Sequence, residues 1–444
     1  MDKYSQSSLH FSSISGKKVE ADFTGGQMTS DAGVLFLREV EKGKGLINSL
    51  SQVIKDNRHQ SYIKHSKYEL LSQRVFQIAC GYEDANDSDE LRVDPAIKAV
   101  CEKLPSEHDL ASQPTFSRFE NSIQKKDLYR IAEAFVEDFI SSYEKAPEAI
   151  IVDLDDTDDL THGSQQMQLF NGYYGEYCYM PFHIYEGISG KLITTILRPG
   201  KRLSDKETVS IIKRIISKIR KAWPKVGILL RGDSHFAGPK VFQWCEKNNV
   251  CYIFGLRKNN ILMNLTRPFL DRAHKLHSEK GGKVRLFKNI YYQARTWHRK
   301  IRVVLKAEIT QLGENPRFIV TNIESHQPSF IYETVYCSRG QMENFIKDHK
   351  VALNSDRTSC HSFTANSFRL FLHSAAYVLM HALREKALAG TELAKAQFDT
   401  IRLNVFKIGA EVRDLKTKLD FRLPSSCPKK ELLKIMMQNL ALSP

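Results

Sequence analysis

The sequence predicts an α/β fold in which a mixed-sheet core follows a mainly helical N-terminal domain and is interrupted by a β-rich stretch. Three observations carry that expectation. Helical apolar spacing fills residues 68–145, a buried-strand pattern begins abruptly after Pro147, and strand and helix patterns alternate from there on.

At 444 residues and 42% hydrophobic, the chain can bury several cores and is too long for one ordinary domain. Lys and Arg number 65 against 51 Asp and Glu, and the resulting charge of +14 favours a polyanionic partner such as nucleic acid. The 8 cysteines include no C-x-x-C pair, which argues against a zinc ribbon and a disulfide scaffold and fits a reduced cytoplasm. The N-terminus carries no apolar signal region and no run of 18 apolar residues occurs, so neither secretion nor membrane spanning is expected.

Residues 1–60 read as an arm or small subdomain, with the Gly-rich turn FTGGQMTSDAG and a helix from Asp31 capped by Ser30. Residues 61–146 read as a helical domain expected to bind DNA, carried by YELLSQRVFQIACGY and KDLYRIAEAFVEDFISSYEK. Residues 147–257 open the core: the strand EAIIVDLDDT, a hairpin about Gly187–Gly190, then helix, strand VGILLRGD, helix and strand VCYIFGL. Three strands, helix, strand, helix, strand is the order of an RNase H-like fold. Residues 258–328 read as a β-rich insertion with strands at VRLFKNIYY, KIRVVLKAEIT and RFIVTNI. Residues 329–399 are expected to complete the core, and 400–444 form a basic segment of ambiguous type. No internal repeat is evident.

Three segments could carry chemistry. In IIVDLDDTDD, a strand delivers Asp153 and Asp155 to one face while Asp156, Asp158 and Asp159 crowd its end. Crowded carboxylates are best tolerated around a divalent cation, and hard oxygen ligands suit Mg²⁺ or Mn²⁺; the bland alternative is a solvated acidic turn. In VGILLRGDSHF, Asp233 falls where a strand ends, a position that opens into sites in α/β sheets but also serves for simple turn caps. In YCSRGQMENFIKDHK, Tyr336, Arg339, Glu343 and Lys350 stack on one face of a helix beginning near Tyr336. A carboxylate between cations there suits a metal ligand flanked by phosphate contacts, although an exposed helix with ion pairs has the same pattern.

The run of Tyr336, Arg339, Glu343 and Lys350 matches without a gap the Y-x2-R-x3-E-x6-K signature of the insertion sequence 4 superfamily of bacterial transposases. The stretches VDLDDTDD, LFNGYYGEYCYMP, ILLRGDSHF, WCEKNNVCYIFGLRKN and FTGGQMTSDAGVLFLRE resemble the insertion sequence 1380 group within it, so the likeness covers most of the chain. The resemblance implies Asp155, ahead of Thr157, as first catalytic Asp with Asp153 in reserve, and Asp233 and Glu343 as its companions. It implies two Mg²⁺ or Mn²⁺ ions per site, cleavage at the element's ends, and joining of their 3′-hydroxyls to target DNA. The partners so implied are the terminal inverted repeats and target DNA, in a bacterial cytoplasm and nucleoid-associated when DNA-bound; joining two ends calls for at least two active sites, so a homodimer on paired ends is expected. It further implies that residues 258–328 touch end DNA, with Trp297 a candidate to hold a flipped base. Tyr336, Arg339 and Lys350 are expected to contact phosphate; His162, His183 and His235 are expected to make polar contacts rather than ligate metal.

Three rivals remain at this point. IIVDLDDT also fits the D-x-D-x-T motif of haloacid dehalogenase-like phosphatases, with Asp153 as nucleophile. A catalytically silent transposase-derived DNA-binding protein and a nuclease that cuts without joining are the others.

Overall fold

The computed structural model describes residues 8–441. The start of the expected N-terminal arm, residues 1–7, and the end of the expected basic segment, residues 442–444, lie outside the described residues. The chain divides into two compact units, one of residues 123–351 and 355–374, the other of residues 1–122, 352–354 and 375–444.

The first unit is built on one large mixed sheet. Its main strands are β1 (Ala149–Asp156), β2 (Phe182–Glu186), β3 (Leu192–Ile196), β4 (Gly227–Gly232), β5 (Cys251–Leu256), β6 (Val284–Tyr292), β7 (Ile301–Thr310) and β8 (Arg317–Thr321), with the two-residue strand Gly313–Glu314 paired to the end of β7. They lie in the order β6-β7-β8-β5-β4-β1-β2-β3. β1, β4 and β5 are mutually parallel, whereas β2 runs antiparallel to its two neighbours, β1 and β3. That core order, 3-2-1-4-5, is the arrangement expected of an RNase H-like sheet.

Alternation along each strand sorts its two faces. Ile150, Val152 and Leu154 of β1 join Phe182 and Ile184 of β2, Ile228 and Leu230 of β4, and Tyr252 and Phe254 of β5 in one apolar core. Helix Asp205–Ala222 closes this face with Ile212, Ile215, Ile216 and Ile219, its start fixed by a capping box between Ser204 and Glu207. The opposite face carries the intervening residues, Asp153, Asp155, His183, Arg231 and Ile253. There a second cluster of Ile253, Val304, Ile319, Ile331 and Tyr332 seats the helical segment that begins at Pro328.

Three expectations are corrected. The β-rich stretch is real, but its strands extend the same sheet beyond β5, and helix Asn260–Lys280 precedes them. Pro268 sits inside that helix and hides its period, which shows in the buried Leu262, Thr266, Leu270 and Ala273. Helix Lys125–Ser141, placed by sequence in the helical domain, belongs to the sheet unit and buries Ile131, Phe135 and Phe139.

The second unit is mainly helical, with Val34–Lys44, Leu46–Val53, Lys67–Cys80 and Gln113–Ser122 among its helices. Its first helix begins at Val34 rather than Asp31, because Asp31 is buried in a network with Lys407 (2.6 Å) and Tyr82 (2.8 Å) instead of entering the helix. The segment of ambiguous type forms the hairpin Ala410–Leu415 and Lys418–Arg422, paired to Met28–Thr29, and helix Lys430–Ala441.

Candidate active site

The parallel register of β1 and β4 sets Gly232 against Leu154, so Asp233, one residue beyond β4, comes abreast of Asp155 near the end of β1. The two carboxylates feel each other. Burial, followed by the negative charges of Asp233 and Asp156, pushes the Asp155 carboxyl up to about 7, against the opposing pull of Arg339. His235 sits between the acidic groups, with Nδ1 3.4 Å from Asp156 and 3.5 Å from Asp233, and its backbone N–H donates to Asp233 at 2.8 Å. Asp156 Oδ2 is buried and has no hydrogen-bond partner among the described residues.

The helical segment from Pro328 to Ala352 carries the other predicted residues and brings Tyr336, Arg339 and Lys350 to this edge. It is not one regular helix: wide π-type turns at Ile331–Tyr336 and Asp348–Ala352 flank the α-helical Gly340–Lys347. Arg339 reaches Asp155 at 2.8 Å. Glu343, one α-turn further, is exposed and enters no ion pair or hydrogen bond among the described residues. Lys350 is engaged with the loop after β1, donating to the Asp158 carbonyl and lying 3.2 Å from its carboxylate and 3.4 Å from Thr157 Oγ1. Lys350, expected to contact phosphate, thus has its ammonium engaged with the acidic loop. Tyr336 packs its hydroxyl against β5, where a Cβ on Gly255 would come within 2.8 Å of it.

Asp153 shares the face of Asp155 but not its surroundings. It is fully buried and held by Arg231 through two hydrogen bonds of 2.6 and 2.7 Å. Arg231 in turn donates to the Val335 carbonyl at 2.7 Å and to Ser338 Oγ, tying β4 to the helical segment. A carboxylate sealed in this way has no opening for a phosphate ester, which removes the basis of the phosphatase rival.

The family is decided by the whole chain. The transposase DDE domain group 1 family matches residues 11–444. The chain belongs to that family. No curated protein matches it. Among solved structures, a piggyBac transposase synaptic complex with hairpin DNA is similar over 85% of this chain and 79% of that chain, at a TM-score of 0.41 and 9% identity.

Two features of this DDE-family chain were not foreseen from its sequence. A cleft of about 490 Å³ opens beside Asp233 and is lined by Arg257, Lys258, Arg317, Tyr332 and Tyr336. Its three cations are exposed and enter no ion pair among the described residues, so they are available to an anionic strand. The signal was present in GLRKN, directly after β5. Trp297 goes the other way: it is 6% exposed and packs edge-on against Phe242 and Tyr292, so it belongs to the core and offers no face to a flipped base. His183 is also buried, against His349, and burial drives its imidazole down to about 3, while His162 is exposed and away from these contacts. No described helix is long and apolar enough to cross a membrane.

Proposed function

We propose that this chain is a metal-dependent transposase that cleaves the ends of an insertion sequence and joins the freed 3′-hydroxyls to target DNA. The observation that carries the reading is the juxtaposition of Asp155 and Asp233 at adjoining strand ends, beneath the segment that carries Glu343. The Y-x2-R-x3-E-x6-K run supports the finer placement in the insertion sequence 4 superfamily, 1380 group.

The hard carboxylate oxygens of Asp155 and Asp233, abreast at adjoining strand ends, suit Mg²⁺ or Mn²⁺. Burial, with the charges of Asp233 and Asp156, raises the Asp155 carboxyl to about 7 against the pull of Arg339, Asp156 Oδ2 lacks a partner among the described residues, and Glu343 is exposed on the segment from which Arg339 reaches Asp155. Bound there, such ions would polarise the scissile phosphate and lower the pKa of the attacking water or 3′-hydroxyl. The chain's own groups do the rest. Asp155, Asp233 and Glu343 would hold the ions, His235 fixes the orientation of Asp233, and Lys350 steadies the loop of Thr157 and Asp158. Arg257, Lys258 and Arg317 neutralise phosphates of the strand in the cleft. Terminal repeats and target DNA are the substrates, a homodimer on paired ends is the working form, and the cytoplasm is the site of action.

A pH dependence follows from Asp155. Below about 7 its carboxyl keeps a proton that a cation must displace, so cleavage should rise about tenfold per pH unit and level off above that value. Raising Mg²⁺ should move the rise to lower pH. The sign for folding is opposite: the native chain retains this proton between 3.8 and about 7 while the unfolded chain loses it, so the stability from Asp155 falls as pH rises through that window. Initial rates on labelled end DNA, followed across pH at two Mg²⁺ concentrations, test both the metal and the site. A profile that ignores Mg²⁺, or activity that survives EDTA, counts against the reading.

A further inference from the structure

A group of aromatic rings beside the acidic strand end has no part in the chemistry above. The chain leaving β1 forms a small three-stranded meander of Asp159–Leu160, Leu169–Asn171 and Glu176–Tyr179. Phe170 and Tyr177 are cross-strand partners, so their rings leave the same face, with centroids 5.5 Å apart. The connecting turn carries Tyr173 and Tyr174 edge-on at 5.0 Å, and the Arg202 guanidinium lies 5.7 Å over Tyr173. Phe170, Tyr173 and Tyr177 are 58%, 77% and 54% exposed. Isolated exposed rings are ordinary, but several converging within eight residues make a surface that binds something.

The display is rigid at its base. Tyr179 is buried and its hydroxyl donates to the Gln166 carbonyl at 2.7 Å, while Asn171 Nδ2 donates to the Gly200 carbonyl at 3.0 Å. The chain passes so close at Gly200 that a Cβ there would meet the Cys178 carbonyl oxygen at 2.3 Å. The rings are also near the candidate site, since the meander's first strand, Asp159–Leu160, follows β1 after two residues and pairs Asp159 with Tyr179 and Leu160 with Cys178.

Charge distinguishes the classes of partner. Lys201 and Arg202 are exposed beside the rings and enter no ion pair among the described residues, whereas Glu176 alternates onto the face opposite Phe170 and Tyr177. Flat rings next to unneutralised cations suit a base with its phosphate, because every base offers a π-face and the strand carries the countercharge. A base stacked inside a duplex offers no such face, so the ligand must be unpaired.

We propose that this meander is a stacking platform for an unpaired base of the DNA strand at the active site, with Tyr173, Phe170 and Tyr177 meeting the base and Arg202 its phosphate. The inference rests on the DNA-cleaving reading above.

The test is equilibrium binding of the full chain in EDTA, where nothing is cut, to a duplex carrying one bulged 2-aminopurine and to the same duplex fully paired. The wild type should prefer the bulged DNA and quench its fluorescence. Tyr173→Ala/Tyr177→Ala should lose roughly tenfold or more in affinity for the bulged DNA only, and Tyr173→Phe/Tyr177→Phe should keep it. Equal quenching by wild type and double alanine variant, or equal losses on both DNAs, overturns the platform. So does an unchanged DNA preference accompanied by a lower sedimenting mass, which would assign the rings to contact with a second copy. Wild type that binds paired DNA without preference defeats the platform alone; wild type that binds neither DNA defeats the transposase reading with it.

Discussion

Asp153→Ala is expected to cost about 3–5 kcal/mol of folding free energy, a large share of what holds an ordinary domain together. The reason is the partner it strands. Arg231 is as fully buried as Asp153, and without the carboxylate its guanidinium would sit uncompensated between β1, β4 and the helical segment. Arg231→Leu should be comparably damaging, leaving a buried Asp. Replacing both, as Asp153→Leu/Arg231→Met, should recover most of the loss, because apolar residues of similar volume remove the desolvation of both charges. Recovery of stability should not restore activity: Arg231 also binds the Val335 carbonyl and Ser338, and so holds the segment that bears Arg339 and Glu343. Urea unfolding of the three variants measures this, and single variants within about 1 kcal/mol of wild type would refute a structural role for the pair.

Asp155→Asn, Asp233→Asn and Glu343→Gln should each lower DNA cleavage more than about a hundredfold, since losing even a supporting group of a metal site typically costs ten- to a hundredfold. Their folding should be nearly untouched. Glu343 is exposed with no partner among the described residues, and at Asp155 burial and the acidic neighbours outweigh the favourable pull of Arg339. Asp155→Asn should therefore be no less stable than wild type above pH 7, where the native carboxylate is held ionised. The two sets of variants separate carboxylates two residues apart: Asp153 failing in stability, Asp155 in chemistry. Thermal unfolding and cleavage rates measured on the same preparations would show it, and parallel loss of both properties in Asp155→Asn would contradict the assignment.

That division was only partly legible in the sequence. The alternation of Ile150, Val152 and Leu154 with Asp153 and Asp155 revealed the strand and its acidic face. It did not reveal which Asp was free, because the deciding neighbour, Arg231, lies on another strand and is brought alongside Asp153 by register. The strand and helix order beyond Pro147 likewise foretold the sheet. Helix Asn260–Lys280 stayed hidden behind Pro268, and the pairing of Ala410 with Thr29 joins chain ends that no local pattern connects. Trp297, set among polar residues in YYQARTWHRK, reads as exposed; Phe242 and Tyr292 bury it. Local periodicity reports which face of an element is apolar, whereas burial of a lone side chain depends on what arrives from elsewhere in the chain.

In the proposed function one carboxylate site both cuts and joins DNA. The most direct measurement is the formation of joined products from a plasmid-borne element with its flanking DNA, in Mg²⁺ or Mn²⁺, by the wild type and by Asp155→Asn, Asp233→Asn and Glu343→Gln. Strand-transfer products from the wild type, absent in EDTA and in all three variants, are the predicted result. Cutting without joining would make the protein a nuclease, binding without cutting a silent derivative, and joined products from any of the three variants would contradict the site.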